Sequence, residues 1–237
     1  MTTTEDLAKV TLAHLRDPEG RCARRLDKEY GNETGHRGST LRFAISNRLE
    51  QAALLAQTTP ERPRPVHFPT PVDLPVEQQR VFDTAVRWYL TVFGERVATG
   101  LDEGDFVTPR PDLGIRLAGR IGLRFEGEAG PELRILHYAG RDAVPIDVAG
   151  APEVRFALLR AAGWVRATPG PILVTVADVL RGEAVEARLD APEALDACED
   201  WLVERLGRIR ARLADPRPAP GTECAWCPFI GSCPAFR

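Results

Sequence analysis

Apolar residues recur at helical spacing in two stretches near the N-terminus, TTEDLAKVTLAHLRD and STLRFAISNRLEQAALLAQ. This spacing gathers the apolar side chains on one face, so both stretches are predicted to be helices, the first ending near Pro18. The run TTPERPRPVHFPTPVDLP contains six prolines, which cannot continue a helix, and it predicts an extended connector. A third, longer helix is predicted from about Val76 to Ala98.

The hydrophobic pattern changes at Gly114 from helical spacing to alternation. GIRLAGRIGLRFEG and ELRILHYAG, separated by the turn-like EGEAGP, are predicted to be two strands of a hairpin. A helix packed on the sheet is predicted for APEVRFALLRAAGWV, and a final helix for APEALDACEDWLVERLGRIRARLA. Between them, a second pair of strands is predicted for PILVTVADVL and EAVEARLD. This order of elements predicts one mixed α/β domain with a helical N-terminal part.

The composition is that of a globular domain with a core of its own. With 43% hydrophobic and 27% charged residues, the chain can bury enough apolar surface without a metal to compensate for small size. No apolar run approaches a membrane span, and MTTTEDLAKV lacks the layout of a signal peptide, which predicts a cytoplasmic protein with no membrane partner. The net charge of −3 does not favour polyanions as ligands of the whole chain, so any nucleic-acid site would be a local patch.

Three of the five cysteines lie in the last fourteen residues, CAWCPFIGSCPAFR. In a reducing cytoplasm, clustered cysteines are more often metal ligands than disulfides, and five cysteines leave one unpaired in any all-disulfide scheme. Cys224 and Cys227 form a C-x2-C pair, and Cys233 follows it. Cys22 is predicted as the fourth ligand because its sequence context is a loop, whereas Cys198 lies on the apolar stripe of the final helix and is predicted to be buried.

Four thiolates suit either a 4Fe–4S cluster or zinc. A zinc ribbon usually offers two C-x2-C knuckles and this chain has one, so the 4Fe–4S cluster is favoured and zinc is the alternative. Because Cys22 and the C-terminal tail are far apart in sequence, the metal would tie the two ends of the fold together. A structural role is therefore favoured over redox sensing.

This cysteine framework resembles that of the iron–sulfur RecB-like nucleases of the PD-(D/E)XK superfamily, which include AddB-type nuclease domains and the CRISPR-adaptation exonucleases. The resemblance covers nearly the whole chain. It implies a single nuclease-fold domain over residues 1–237, with a mixed sheet flanked by helices. It also implies a helical insertion over residues 18–110 and a cluster-binding tail over residues 222–237.

The catalytic motifs of that family are altered at four positions of this chain. Gly38 begins the family's G-x-x-x-H motif, but Arg42 stands where the histidine is expected. GRIG replaces G-R-I-D, so Gly122 takes the place of the metal-binding aspartate. HYAGR replaces (D/E)-Y-K-T-G, which puts His137 at the acidic position and Ala139 at the lysine.

These replacements remove the groups that phosphodiester hydrolysis needs. Mg²⁺ prefers carboxylate oxygens, which hold it against the scissile phosphate, and the family's lysine stabilises the transition-state charge. The resemblance with altered motifs therefore implies an inactive homologue that binds DNA or assists a protein partner. Arg24, Arg25 and Arg42 are the candidate contacts to DNA phosphates.

Two other functions stay open at this point. The mildly acidic net charge suits a protein-interaction or regulatory module that does not touch nucleic acid. The second open function is a metal-dependent DNA exonuclease whose metal ligands lie at other positions. Pro111-Asp112 matches the PD of the superfamily motif, and Glu132 to Arg134 form an E-x-R with a basic third residue. Motifs this short arise easily by chance. His137 is interpreted first as a packing histidine rather than a ligand.

Overall fold

The computed structural model describes residues 7–16, 22, 45, 74–93, 107–119, 122–127, 130–137, 147–218, 224, 227 and 230–236. The chain divides into two compact units. Unit 1 comprises Met1–Gly35, Asp105–Arg120 and Asp196–Arg237, and unit 2 comprises His36–Gly104 and Ile121–Leu195. Each unit contains a mixed sheet together with helical residues, which confirms the predicted α/β class at this level.

Most of the predicted elements are present in the structure. In chain order, the helices and strands of the described residues are β1 (Ala8–Val10), α1 (Leu12–Arg16), α2 (Val76–Phe93), β2 (Val107–Arg110), β3 (Ile115–Ala118), β4 (Leu123–Gly127), β5 (Gly130–His137), α3 (Pro152–Arg160), α4 (Ala162–Ala167), β6 (Pro171–Asp178), β7 (Glu183–Asp190) and α5 (Ala191–Ala214). Short 3-10 turns follow at Pro111–Leu113, Ile230–Ser232 and Pro234–Phe236. Among the helices of the described residues, none has the length and apolar character that a membrane span requires.

The sheet of unit 1 has three strands in the order β1-β3-β2, with β1 parallel and β2 antiparallel to β3. Strand β1 corrects the prediction that the first helix already includes Ala8–Val10. The first amides of a helix have no carbonyl partner within the helix. Here the Thr11 N–H, just before α1, donates a 3.3 Å hydrogen bond to His14 Nδ1. The helix therefore begins only at Leu12, and the residues before it pair with β3.

The segment from Gly114 to Gly127, predicted as one strand, is divided between β3 and β4, which belong to different sheets. Two glycines between these strands have backbone angles that residues with side chains rarely adopt: φ is 140° at Gly119 and 114° at Gly122. They end one strand and begin the next, so the alternating pattern on both sides does not continue as a single strand.

The sheet of unit 2 has four strands in the order β4-β5-β6-β7. Strands β5 and β6 are parallel, and α3 and α4 lie between them in sequence, as the crossover of a parallel pair requires. Successive strand residues point to opposite faces of the sheet. On the α2 side, the buried cluster contains Phe82, Val86, Tyr89 and Phe93 of α2 with Leu123, Phe125, Ala177 and Val179.

A buried arginine joins α2 to this sheet. The Arg134 side chain, in β5, is 2% exposed. Its Nε and Nη2 donate hydrogen bonds of 2.8 and 3.0 Å to the two carboxylate oxygens of Glu132, and its Nη1 donates one of 2.9 Å to the Tyr89 hydroxyl. The guanidinium carbon lies 4.3 Å from the ring centroid of Phe93 and 4.2 Å from that of Phe125. Arg134 therefore contacts aromatic rings of both the helix and the neighbouring strand.

The charge on Arg134 is retained in this apolar setting because its partners compensate for burial. Burial by itself would lower the pKa of Arg134, but its interactions with the Tyr89 hydroxyl and the Glu132 carboxylate raise the pKa above its ordinary value. Removing a single partner from a buried pair is costly, since it leaves an uncompensated charge.

We expect Arg134→Ala to lower the free energy of unfolding by about 3–5 kcal/mol, because it leaves the Glu132 carboxylate buried without its cation. Denaturant unfolding at an unchanged m-value measures this loss. Arg87→Ala is the control, because Arg87 lies exposed on α2, and we expect it to change stability by no more than about 0.5 kcal/mol. Equal effects of the two substitutions would contradict the role assigned to Arg134.

Candidate functional site

The backbone at Gly122 leaves no room for a side chain. Gly122 precedes β4, whose first residue pairs with Arg134 of β5. A Cβ atom added to Gly122 would lie 2.4 Å from the carbonyl oxygen of Arg134 and 3.3 Å from the Cα of Ile135. The positive φ adds strain for any residue other than glycine. An aspartate therefore does not fit this position unless the hairpin backbone moves.

His137 ends β5 directly beside Asp178, which ends β6. The parallel register pairs these two residues, so their side chains point to the same face of the sheet. His137 Nε2 lies 3.3 Å from a carboxylate oxygen of Glu153 in the first turn of α3, and His137 Nδ1 lies 3.8 Å from Asp178 Oδ2. The imidazole is thus bracketed by two carboxylates from different elements.

Asp178 is the member of this group that sequence reasoning missed. Its side chain is 0% exposed, and Oδ1 accepts the backbone N–H groups of Leu180 and Arg181, at 3.1 and 3.3 Å. The available signal was an aspartate at the end of a strongly apolar strand, immediately before turn residues, where Asp commonly bonds backbone amides ahead of it. This bonding fixes the carboxylate at the strand end.

The PD and E-x-R motifs of the relocated-ligand alternative contribute two carboxylates, Asp112 and Glu132. Both carboxylates accept hydrogen bonds from arginines of the chain. Asp112 lies in an exposed 3-10 turn before β3, where Arg110 donates hydrogen bonds of 3.0 and 2.7 Å to it and lowers its pKa below the ordinary value. Arg110 also donates a 2.6 Å bond to Glu199 of α5. Glu132 is held by Arg134, and β5 already begins at Gly130, so Glu132 does not open its strand as the sequence predicts.

The remaining residues at the altered motif positions, Arg42 and Ala139, lie outside the described residues, as do the candidate DNA contacts Arg24 and Arg25. Their roles stay predictions.

All five cysteines lie within the described residues and are thiols, with no disulfide among them. Cys198 is 2% exposed in α5, which confirms its predicted burial. Cys22, Cys224, Cys227 and Cys233 are partly buried and belong to unit 1. The N–H of Cys227 donates a 3.2 Å bond to the carbonyl of Cys224, which closes the C-x2-C turn. Among the described side chains, no group of three or more His, Cys, Asp or Glu is arranged around a metal position, so the cluster stays a prediction.

We expect Gly122→Ala to destabilise the protein more than Gly130→Ala, as measured by denaturant unfolding. Both glycines have positive φ, so each substitution carries a backbone cost of about 1–2 kcal/mol. A Cβ at Gly130 meets nothing within 4 Å, whereas one at Gly122 overlaps the Arg134 carbonyl and adds roughly 1–3 kcal/mol. Equal losses would show that the close approach at Gly122 is readily relieved.

Comparison with known proteins reveals little similarity. No protein-family model matches the chain. No curated protein matches it. A solved structure, the crystal structure of SSO0001, matches with a TM-score of 0.33 and 12% sequence identity, over 100% of this chain and 90% of that chain. Similarity at this level transfers neither an activity nor a ligand to this chain.

Proposed function

We propose that this chain is a catalytically inactive relative of the iron–sulfur RecB-like nucleases of the PD-(D/E)XK superfamily, acting as a DNA-binding or accessory protein. The observation that carries the proposal is the close approach of the backbone at Gly122 to the Arg134 carbonyl. The resemblance puts the metal-binding aspartate of an active nuclease at this position. Here neither a carboxylate nor the space for one is present.

The surroundings of His137 support the same proposal. At the position where the resemblance puts the second acidic ligand, this chain has an imidazole that faces Glu153 and Asp178 within its own unit. Its contacts are with the chain itself, and its side chain is 13% exposed. A nuclease needs carboxylate oxygens that reach both the metal ion and an incoming phosphate. Hydrolysis is therefore not expected of this site.

The cysteines supply the iron–sulfur part of the proposal. Cys22, Cys224, Cys227 and Cys233 would hold a 4Fe–4S cluster through four thiolates, with zinc as the alternative. Their shared unit and the closed C-x2-C turn support this donor set, although no three of the four surround one metal position in the described part of the chain. Such a group supplies folding energy by tying ligands together, and we propose a structural role for it.

We do not propose the arginine-rich run between Arg205 and Arg217 as a DNA-binding surface. Arg208 pairs with Glu204 one turn earlier on α5, and Arg210 donates a 2.7 Å hydrogen bond to the Leu113 carbonyl. Both arginines are therefore bound to groups of the chain itself.

Arg24, Arg25 and Arg42 are the proposed contacts to DNA phosphates. Arg42 also replaces the family's histidine with a permanent cation, which favours phosphate binding over metal binding. Contacts to the phosphate backbone release counterions, so the proposed binding is largely independent of sequence and weakens with salt.

We expect the protein to bind linear and single-stranded DNA in a fluorescence anisotropy titration, and to cleave neither with Mg²⁺ or Mn²⁺. Replacing Arg24, Arg25 and Arg42 by Gln should reduce the slope of log K against log salt by about three, one for each lost phosphate contact. Arg208→Gln is the matched control and should leave the slope unchanged.

Two results would contradict this function. A flat binding titration at low salt would remove DNA binding, and a protein partner that co-purifies without DNA would then favour the interaction module. Metal-dependent cleavage that Asp112→Ala abolishes would establish a relocated active site.

We expect protein purified without oxygen to be brown, with broad visible absorption and about four iron and four sulfide per chain. Cys22→Ser should lose the colour and the iron, because it removes one of four thiolates. Cys198→Ser is the control and should retain both, since Cys198 is buried in α5. Colourless protein containing one zinc ion per chain would favour the zinc alternative.

A further inference from the structure

A buried carboxylate oxygen at the end of β6 faces a buried nitrogen at the end of β5. Asp178 Oδ2 and His137 Nδ1 are both buried, and neither has a hydrogen-bond partner among the described residues. They lie 3.8 Å apart, too far for a hydrogen bond between them. Burying a carboxylate oxygen without a hydrogen-bond partner costs free energy. A ligand bound by both atoms would offset this cost.

The third residue of the group determines which nitrogen of His137 can bind a ligand. A carboxylate oxygen of Glu153 lies 3.3 Å from Nε2, and an ionised carboxylate can accept a hydrogen bond but cannot donate one. In a neutral imidazole with its hydrogen on Nε2, the lone pair is on Nδ1. Asp178 Oδ2 lies 3.8 Å from Nδ1. Two acceptors then face each other, an arrangement that a cation between them would stabilise.

We propose that His137 Nδ1 and Asp178 Oδ2 bind one divalent transition-metal ion, and that Glu153 orients the imidazole. Bonds of ~2.0–2.2 Å from a metal to each donor span a 3.8 Å separation with an open angle at the metal. A carboxylate on the far nitrogen is the arrangement that fixes metal-binding histidines and raises their basicity. An imidazole combined with a carboxylate suits zinc, manganese or cobalt.

This is a site with two protein ligands, His137 and Asp178. It agrees with the finding that no three His, Cys, Asp or Glu side chains among the described residues surround one metal position. Because the Asp178 side chain is 0% exposed, the ion lies between the two strand ends and does not bind a phosphate in solution. Its role is structural, and it depends on neither the cysteine cluster nor DNA binding.

The test is a titration of chelator-treated protein with Mn²⁺, with the free ion followed by electron paramagnetic resonance. Mn²⁺ is chosen because it prefers oxygen and nitrogen donors, so the cysteine thiolates compete weakly for it. We expect one saturable site in the wild type. Asp178→Asn should weaken it at least tenfold, and Glu153→Gln by about 10–100-fold. Glu186→Gln, which removes an exposed carboxylate of β7, is the control and should bind as the wild type does.

Asp178→Asn keeps an oxygen for the backbone N–H groups of Leu180 and Arg181, so it is expected to fold. If it does not, His137→Gln and Glu153→Gln decide the question. Mn²⁺ should raise the Tm of the wild type and leave that of His137→Gln unchanged, because only the native state with both ligands binds the ion. No saturable Mn²⁺ binding by the wild type would overturn the proposal, as would unchanged affinity in the folded variants. Neither result alters the DNA-binding or cleavage assays.

Discussion

The buried guanidinium of Arg134 is the interaction on which the four-stranded sheet and its candidate site depend. Its side chain holds Glu132 and reaches Tyr89 on α2, while its own carbonyl is the atom that the backbone at Gly122 approaches. An anchored Arg134 therefore fixes both the helix on the sheet and the register in which Leu123 pairs with it. The same residue that stabilises the unit leaves no room for a carboxylate at Gly122.

Parallel pairing of β5 and β6 has the second large consequence. It places the strand ends side by side, so that His137 and Asp178 meet although 41 positions separate them in sequence, and α3 adds Glu153. Such strand ends are where ligands bind in many α/β proteins. In this chain they hold a histidine between two carboxylates, a group suited to binding a cation inside the fold.

The sequence predicts most of the unit 2 elements correctly because each has a clear local period. Alternation marks the hairpin of β4 and β5 and the pair of β6 and β7, and helical spacing marks α2. The failures lie where distant residues compete with local pattern. Ala8–Val10 have a helical period, yet they pair with β3, a strand more than a hundred residues later. Alternation continues through Gly122, yet glycine backbone angles divide that run between two sheets.

Composition and spacing alone predict the α/β class and the burial of Cys198, because both depend on residue type and local period. Only the tertiary structure decides what Gly122 and His137 contact. Whether Gly122 is a missing side chain or a required glycine depends on the Arg134 carbonyl across the hairpin. Whether His137 packs or binds depends on Asp178 and Glu153, which strand pairing and helix docking bring to it. Contacts between residues far apart in sequence leave no local period, and so the sequence alone does not reveal them.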